Sequence, residues 1–180
     1  MVYVLLANGF EEIEALAPVD ILRRAGLTVS AVSCNDDNVV CGAHGITVLA
    51  DGNIKEITDC KDAELLVLPG GMPGTLNLDS CEGVHRLIDS ALAENKRIAA
   101  ICAAPMILGK REILKGKNAV CYPGFEEYLL GASVSDKRVV TDGLITTSKG
   151  AGAAVDFALE LVSLLCGKNT AENIRTGIFA

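Results

Sequence analysis

The stretch that decides the fold is KRIAAICAAPMIL, residues 96–108. It predicts a short buried strand that ends at Cys102 and turns at once into a helix, because the apolar run stops at small residues and Pro105 suits a first helical turn. A nucleophile with small residues on both sides, at a strand-to-helix corner, is similar to a nucleophile elbow. Cys102 is therefore our candidate nucleophile.

The predicted corner also suggests how the thiol is activated. A thiol at a helix N-terminus faces unsatisfied N–H groups and the positive end of the helix dipole, which favour the thiolate. We therefore expect the pKa of Cys102 to fall below the ordinary thiol value of about 8.5. The alternative is that Cys102 is an inert small residue of the core.

Composition favours an α/β protein. Half of the 180 residues are apolar, only 4% are aromatic and tryptophan is absent, so the core must be aliphatic. The length suits one domain spanning residues 1–180. A net charge of −7 without a basic stripe argues against nucleic acid and against anionic membrane surfaces as partners.

The cysteines predict free thiols. There are seven, an odd number, and none forms a C-x-x-C pair, so neither a zinc site nor a disulfide framework is indicated. We expect no metal and no cofactor. The first apolar run, residues 2–7, is too short for a signal segment or a membrane span, and we expect a cytoplasmic protein.

A second candidate side chain lies in the predicted first helix. Residues 2–6 predict a strand and residues 11–25 a helix, on which Glu14 shares the apolar face with Pro18 and Ile21. A carboxylate placed in a core is unfavourable unless it is paired or protonated, and a protonated Glu14 can donate a hydrogen bond to a thiolate. The alternative is a first-turn glutamate that complements the helix dipole.

Two apolar residues of the same helix lie on its polar side. Ile13 and Leu16 fall there on the helical wheel, and a subunit interface would explain them. We therefore expect a homodimer that uses the first helix.

A glycine-rich loop follows the predicted strand 64–68. Its sequence is PGGMPG, residues 69–74, and it lacks the lysine of a phosphate loop. An oxyanion hole is a better assignment, because ligands of open parallel sheets bind at the carboxyl ends of strands, where Cys102 also lies. An ordinary tight turn remains the alternative.

The remaining chain predicts further elements but no histidine base. Helices are expected over residues 81–95, 105–114, from 149 to 166 and 169–179, with a hairpin over 139–147 and an Asp-Gly turn. His85 falls inside a surface helix. His44, in a polar loop, is either solvated or part of the site. Acyl transfer is poorly supported without a histidine on a later loop.

Four motifs in order resemble the ThiJ/PfpI superfamily, in the branch of the Parkinsonism-associated protein deglycase and bacterial YajL. They are residues 9–14, 69–71, 99–105 and 147–152. The resemblance implies a three-layer flavodoxin-like sandwich, a homodimer, a reactive cysteine at Cys102 and a protonated glutamate at Glu14. It also implies backbone N–H donors, which fall on Gly70, Gly71 and Ala103.

The chain departs from the family pattern at two positions. Tyr122 stands where the deglycase branch often has a histidine, and His44 matches a position that is commonly arginine; with Glu11 they are candidate pocket residues. The resemblance implies action on a small aldehyde or dicarbonyl, as a glyoxalase or deglycase. Its alternatives are a redox sensor or chaperone acting through oxidation of Cys102, and a peptidase or amidotransferase, which lacks its base.

Overall fold

A computed structural model describes all 180 residues. Its strands are β1 (Val2–Leu6), β2 (Val29–Ser33), β3 (Val39–Cys41), β4 (Thr47–Leu49), β5 (Gly52–Asn53), β6 (Leu65–Leu68), β7 (Arg97–Ile101), β8 (Asn118–Ala119), β9 (Ser133–Val134), β10 (Val139–Asp142) and β11 (Ile145–Ser148). Its α-helices are α1 (Glu12–Arg24), α2 (Gly74–Ser80), α3 (Glu82–Ala93), α4 (Pro105–Lys110), α5 (Ala154–Cys166) and α6 (Lys168–Gly177).

Seven strands form one central sheet in the order β10-β11-β7-β6-β1-β2-β5. All neighbours run parallel except the β10–β11 hairpin. The carboxyl ends of β1, β6 and β7 therefore meet at one edge of the sheet, where the loops that follow them lie side by side. The predicted α/β class with a mostly parallel sheet is confirmed.

Successive side chains of a strand point to opposite faces of the sheet, so the core has two halves. In β1, Val2, Val4 and Leu6 pack on the side of α1 and α5, whereas Leu5 packs on the side of α3 and α4. Each half holds more than twenty buried residues, so the sheet is covered on both faces. This arrangement is the predicted three-layer sandwich.

The structure differs from the expected elements in four places. Helix α2 was not expected, helix α4 ends at Lys110 instead of residue 114, and helix α5 begins at Ala154 instead of residue 149. The hairpin turn lies one residue later because Asp142 pairs with Ile145. Gly109, in the last turn of α4, contacts the backbone of Tyr128, so an adjacent segment closes over the end of this helix. None of the helices combines the length and apolar character needed to cross a bilayer.

Candidate active site

Cys102 lies at the corner that the sequence predicts. It follows β7 directly, adopts a left-handed backbone with φ of 64°, and is followed by α4, in which Pro105 is the first residue. Its N–H donates to the Ser148 carbonyl (2.9 Å) and its carbonyl accepts from the Tyr122 N–H (2.8 Å). A left-handed conformation costs a non-glycine residue about 1–2 kcal/mol, so neighbouring segments hold the corner in place.

Glu14 reaches this corner from α1. Glu11 caps the helix by accepting the Glu14 N–H at 2.7 Å, which fixes the first turn. The Glu14 side chain is buried, with the residue 1% exposed, and its Oε2 accepts the Gly70 N–H at 3.0 Å. Its Oε1 is buried without a regular hydrogen bond, and the neighbouring polar side chain is the Cys102 thiol.

Burial decides the protonation of Glu14. Loss of solvent raises the pKa of its carboxyl to about 7, against the opposing effect of the hydrogen bonds with Cys102 and Gly70. Near neutral pH the carboxyl therefore exists both protonated and ionised. It can hold a proton for the sulfur or accept one from it.

The expected lowering of the Cys102 pKa is wrong. Burial raises the pKa of the thiol to about 12, and the charge and hydrogen bond of Glu14 raise it further than the Ala103 and Gly71 N–H groups lower it. The helix that follows is only six residues long, so its dipole is outweighed. The thiol and the carboxyl form one coupled pair, in which the carboxyl loses its proton at a lower pH than the thiol does.

The glycine-rich loop contacts both members of the pair. A Cβ on Gly70 would lie 2.5 Å from Glu14 Oε2 and 2.6 Å from the Cys102 Cβ, so only glycine fits. Because the Gly70 N–H already donates to Glu14, its expected role as an oxyanion donor is not supported. The N–H groups near the sulfur are those of Gly71 and Ala103.

His44 is paired with Glu12, in the first turn of α1. Glu12 is buried; its Oε1 accepts the His44 backbone N–H (2.8 Å) and its Oε2 lies 2.7 Å from the His44 ring Nδ1. The His44 ring is exposed, and its hydrogen bond with Glu12 raises its pKa. With Glu11 these side chains place possible metal-ligand atoms within 4.8 Å of one another. The glutamate's partner is 32 residues away, so no local signal could reveal it.

Tyr122 lies on the open side of the corner. Its ring is half exposed and lies beside Gly150, where a Cβ would be 3.2 Å from the ring and 3.9 Å from Glu14 Oε1. With Lys149 and Arg138 it lines a cavity of about 270 Å³ next to the corner. Cys102 itself is partly exposed.

Together these features define a flavodoxin-like α/β protein with a cysteine on a strained strand-to-helix corner and a buried carboxyl beside it. The family model described as DJ-1/PfpI matches residues 1–164. The chain belongs to this family, which confirms the resemblance seen in its motifs.

Known relatives agree with this assignment. Protein dj-1beta of Drosophila melanogaster is 35% identical over 97% of this chain and 94% of its own length. Protein DJ-1 homolog B of Arabidopsis thaliana is 37% identical over 96% of this chain, but the chain spans only 40% of that longer protein. Among solved structures, oxidized Toxoplasma gondii DJ-1 superposes with a TM-score of 0.92 at 34% identity, covering 99% of this chain and 97% of that one.

Proposed function

We propose that the protein is a cysteine-dependent enzyme for small reactive dicarbonyls, which converts methylglyoxal to lactate without glutathione. The main support is the contact between the Cys102 thiol and the buried Glu14 carboxyl, in reach of two backbone N–H groups. A sulfur and a proton-transferring carboxyl are the two groups that this conversion requires. We include in this proposal the removal of early glycated adducts by the same site.

In the first step the Cys102 sulfur attacks the aldehyde carbon. Ionised Glu14 accepts the thiol proton as the S–C bond forms, so that the high thiol pKa is no obstacle. The aldehyde oxygen takes up the electron pair of the C=O bond, stabilised by the Gly71 and Ala103 N–H groups, and then takes the proton from Glu14, which is ionised again for the second step. The product of this step is a hemithioacetal.

In the second step hydrogen moves between the two carbons of the adduct. Glu14 removes the proton from the carbon bonded to sulfur while the neighbouring ketone oxygen takes a proton from water, which gives an enediol. Glu14 then returns its proton to the neighbouring carbon as the hydroxyl on the sulfur-bearing carbon loses its proton to water, and the product is a thioester of lactate. Water then cleaves the S–C bond, releasing lactate and restoring the thiol. The overall reaction adds one water and needs no oxidant.

The test is lactate formation from methylglyoxal by protein whose Cys102 is shown by mass to be reduced. We expect Cys102→Ser to abolish turnover and Glu14→Gln to lower kcat by about 10²–10⁴-fold, the usual contribution of a general acid–base group. Cys41→Ser is the matched control, because Cys41 is exposed and does not line the cavity beside Tyr122, and it should keep wild-type turnover. Absence of lactate from the reduced wild-type protein would refute the proposal.

A second candidate function is a redox sensor or stress-protective chaperone. The name of the Toxoplasma structure describes that relative as oxidized, and Cys102 here is partly exposed beside a carboxyl that can donate a hydrogen bond to an oxidised sulfur. Intact mass after mild peroxide separates the two functions. A gain of two oxygens at Cys102 in protein that forms no lactate would favour the sensor.

A peptidase or amidotransferase has less support. The ring nitrogens of the two histidines contact Glu12 and the Asp79 carbonyl, and neither ring is hydrogen-bonded to the thiol. The Cys102–Glu14 pair would then have to act without an imidazole base.

We also propose a homodimer formed through α1. The Ile13 side chain is 55% exposed and Leu16 lies beside the same surface at 36%. The β3–β4 hairpin, whose turn contacts α1 through Glu12, adds Leu49 at 78% exposure. Light scattering should give a dimer mass for the wild type and a monomer mass for Ile13→Glu. Leu130→Glu, at an exposed leucine elsewhere, should remain dimeric.

A further inference from the structure

A second pair of cysteines lies apart from Cys102. Cys34 directly follows β2, and Cys81 occupies the junction between α2 and α3. Although 47 residues separate them in sequence, the two side chains line the same cavity and pack on the same half of the core. The mechanism proposed above uses neither of them.

Both cysteines are partly exposed. They line an open cavity of about 550 Å³, together with Lys55 and Arg86. The cationic side chains are already engaged, because Lys55 pairs with Asp36 at 2.8 Å and Arg86 donates to the carbonyls of the segment that follows β5. The cavity is therefore better suited to a small neutral molecule than to an anion.

The environments of the two sulfurs differ in a way that assigns their roles. Cys81 precedes α3, a helix of twelve residues, and the nearby N–H groups of Gly83 and Val84 favour a negative sulfur. The hydrogen bond from Cys34 lowers the pKa of Cys81 to about 5 and raises the pKa of Cys34. These effects favour a thiolate on Cys81 and a thiol on Cys34.

We propose that Cys34 and Cys81 form a reversible intramolecular disulfide when a hydroperoxide enters this cavity, with Cys81 as the attacking sulfur and Cys34 as the resolving thiol. The Cys81 thiolate attacks the peroxide, an S–O bond forms and the O–O bond breaks, giving a sulfenic acid and an alcohol or water. The Cys34 sulfur then attacks that sulfenic acid, the S–O bond breaks, and water leaves with the thiol proton. The two thiols are oxidised by two electrons and the peroxide is reduced by two.

Three other cysteines are less suited to this reaction. Cys60 and Cys121 are buried, and burial raises the pKa of each thiol. Cys41 is exposed at the end of β3, and its sulfur contacts the carbonyl of Gly42. Cys41 is therefore the control position for the dithiol.

The experiment is a peptide map of the full chain after hydrogen peroxide, with remaining thiols alkylated and no reductant present. Trypsin releases Cys81 in residues 62–86 and Cys34, together with Cys41, in residues 25–55. We expect these two peptides to be linked, with the loss of two hydrogens and full release by dithiothreitol. Fragmentation of the linked species should place the bond on Cys34.

Variants distinguish the dithiol from a chance cross-link. Cys41→Ser should retain the linked peptides, whereas Cys34→Ser should lose them and accumulate Cys81 as a sulfinic or sulfonic acid, because no thiol resolves it. Fragmentation of the wild-type peptide gives the assignment even if Cys34→Ser fails to fold. A bond that maps to Cys41, or free Cys34 and Cys81 at peroxide doses that oxidise Cys102, would overturn the proposal.

Discussion

Replacing Glu14 with glutamine tests the buried carboxyl through the pH dependence of stability. Burial raises the pKa of Glu14 from its ordinary value of 4.5 to about 7. Because the folded-state pKa lies above the unfolded one, the wild type is fully stabilised below pH 4.5 and loses that stability as the pH rises towards 7. At about 1.36 kcal/mol per unit, the loss approaches about 3 kcal/mol above pH 7.

Glutamine keeps the acceptor for the Gly70 N–H and has no proton to lose, so its unfolding free energy lacks this dependence. Urea unfolding of both proteins at one protein concentration, at intervals from pH 4.5 to pH 8, measures the difference. Between pH 4.5 and pH 8 the unfolding free energy of the wild type should fall by about 3 kcal/mol relative to that of Glu14→Gln. Glu127→Gln, at an exposed glutamate, should follow the wild type. Parallel curves for Glu14→Gln and the wild type would refute the inference that this carboxyl is buried with a raised pKa.

Two further predictions concern the glycine loop and the exposed histidine. Gly70→Ala would place a methyl group 2.5 Å from a Glu14 oxygen and should lower the unfolding free energy by about 1–3 kcal/mol and reduce lactate formation, whereas Gly52→Ala, whose nearest contacts are at 3.9 Å, should do neither. In an NMR titration the pKa of His44 should lie above 6.5 and should fall in Glu12→Gln; an unchanged titration would contradict the ion pair.

The strand-to-helix corner and the three layers of the fold could be predicted from the sequence. A strand that stops at small residues before Pro105 has few other structures available, and the continuous apolar runs of β1, β6 and β7 require a sheet that is covered on both faces. Helix α2 escaped prediction because it begins at Gly74 immediately after Pro73 and has no side-chain cap.

The electrostatics of the site could not be predicted in the same way. The pKa of Cys102 depends on burial and on Glu14, and both come from segments distant in the chain. The Gly70 N–H donates to Glu14, which lies 56 residues away in the sequence, so this hydrogen bond depends on the tertiary structure. The contacts of Glu12 with His44 arose in the same manner, from a loop that folds back on α1.

The left-handed backbone of Cys102 has a consequence for how such a chain evolves. At that φ value glycine would relieve the strain without disturbing either backbone hydrogen bond, so selection for folding alone would favour glycine at this position. Cys102→Gly is therefore a single substitution that would remove the thiol and leave the fold intact.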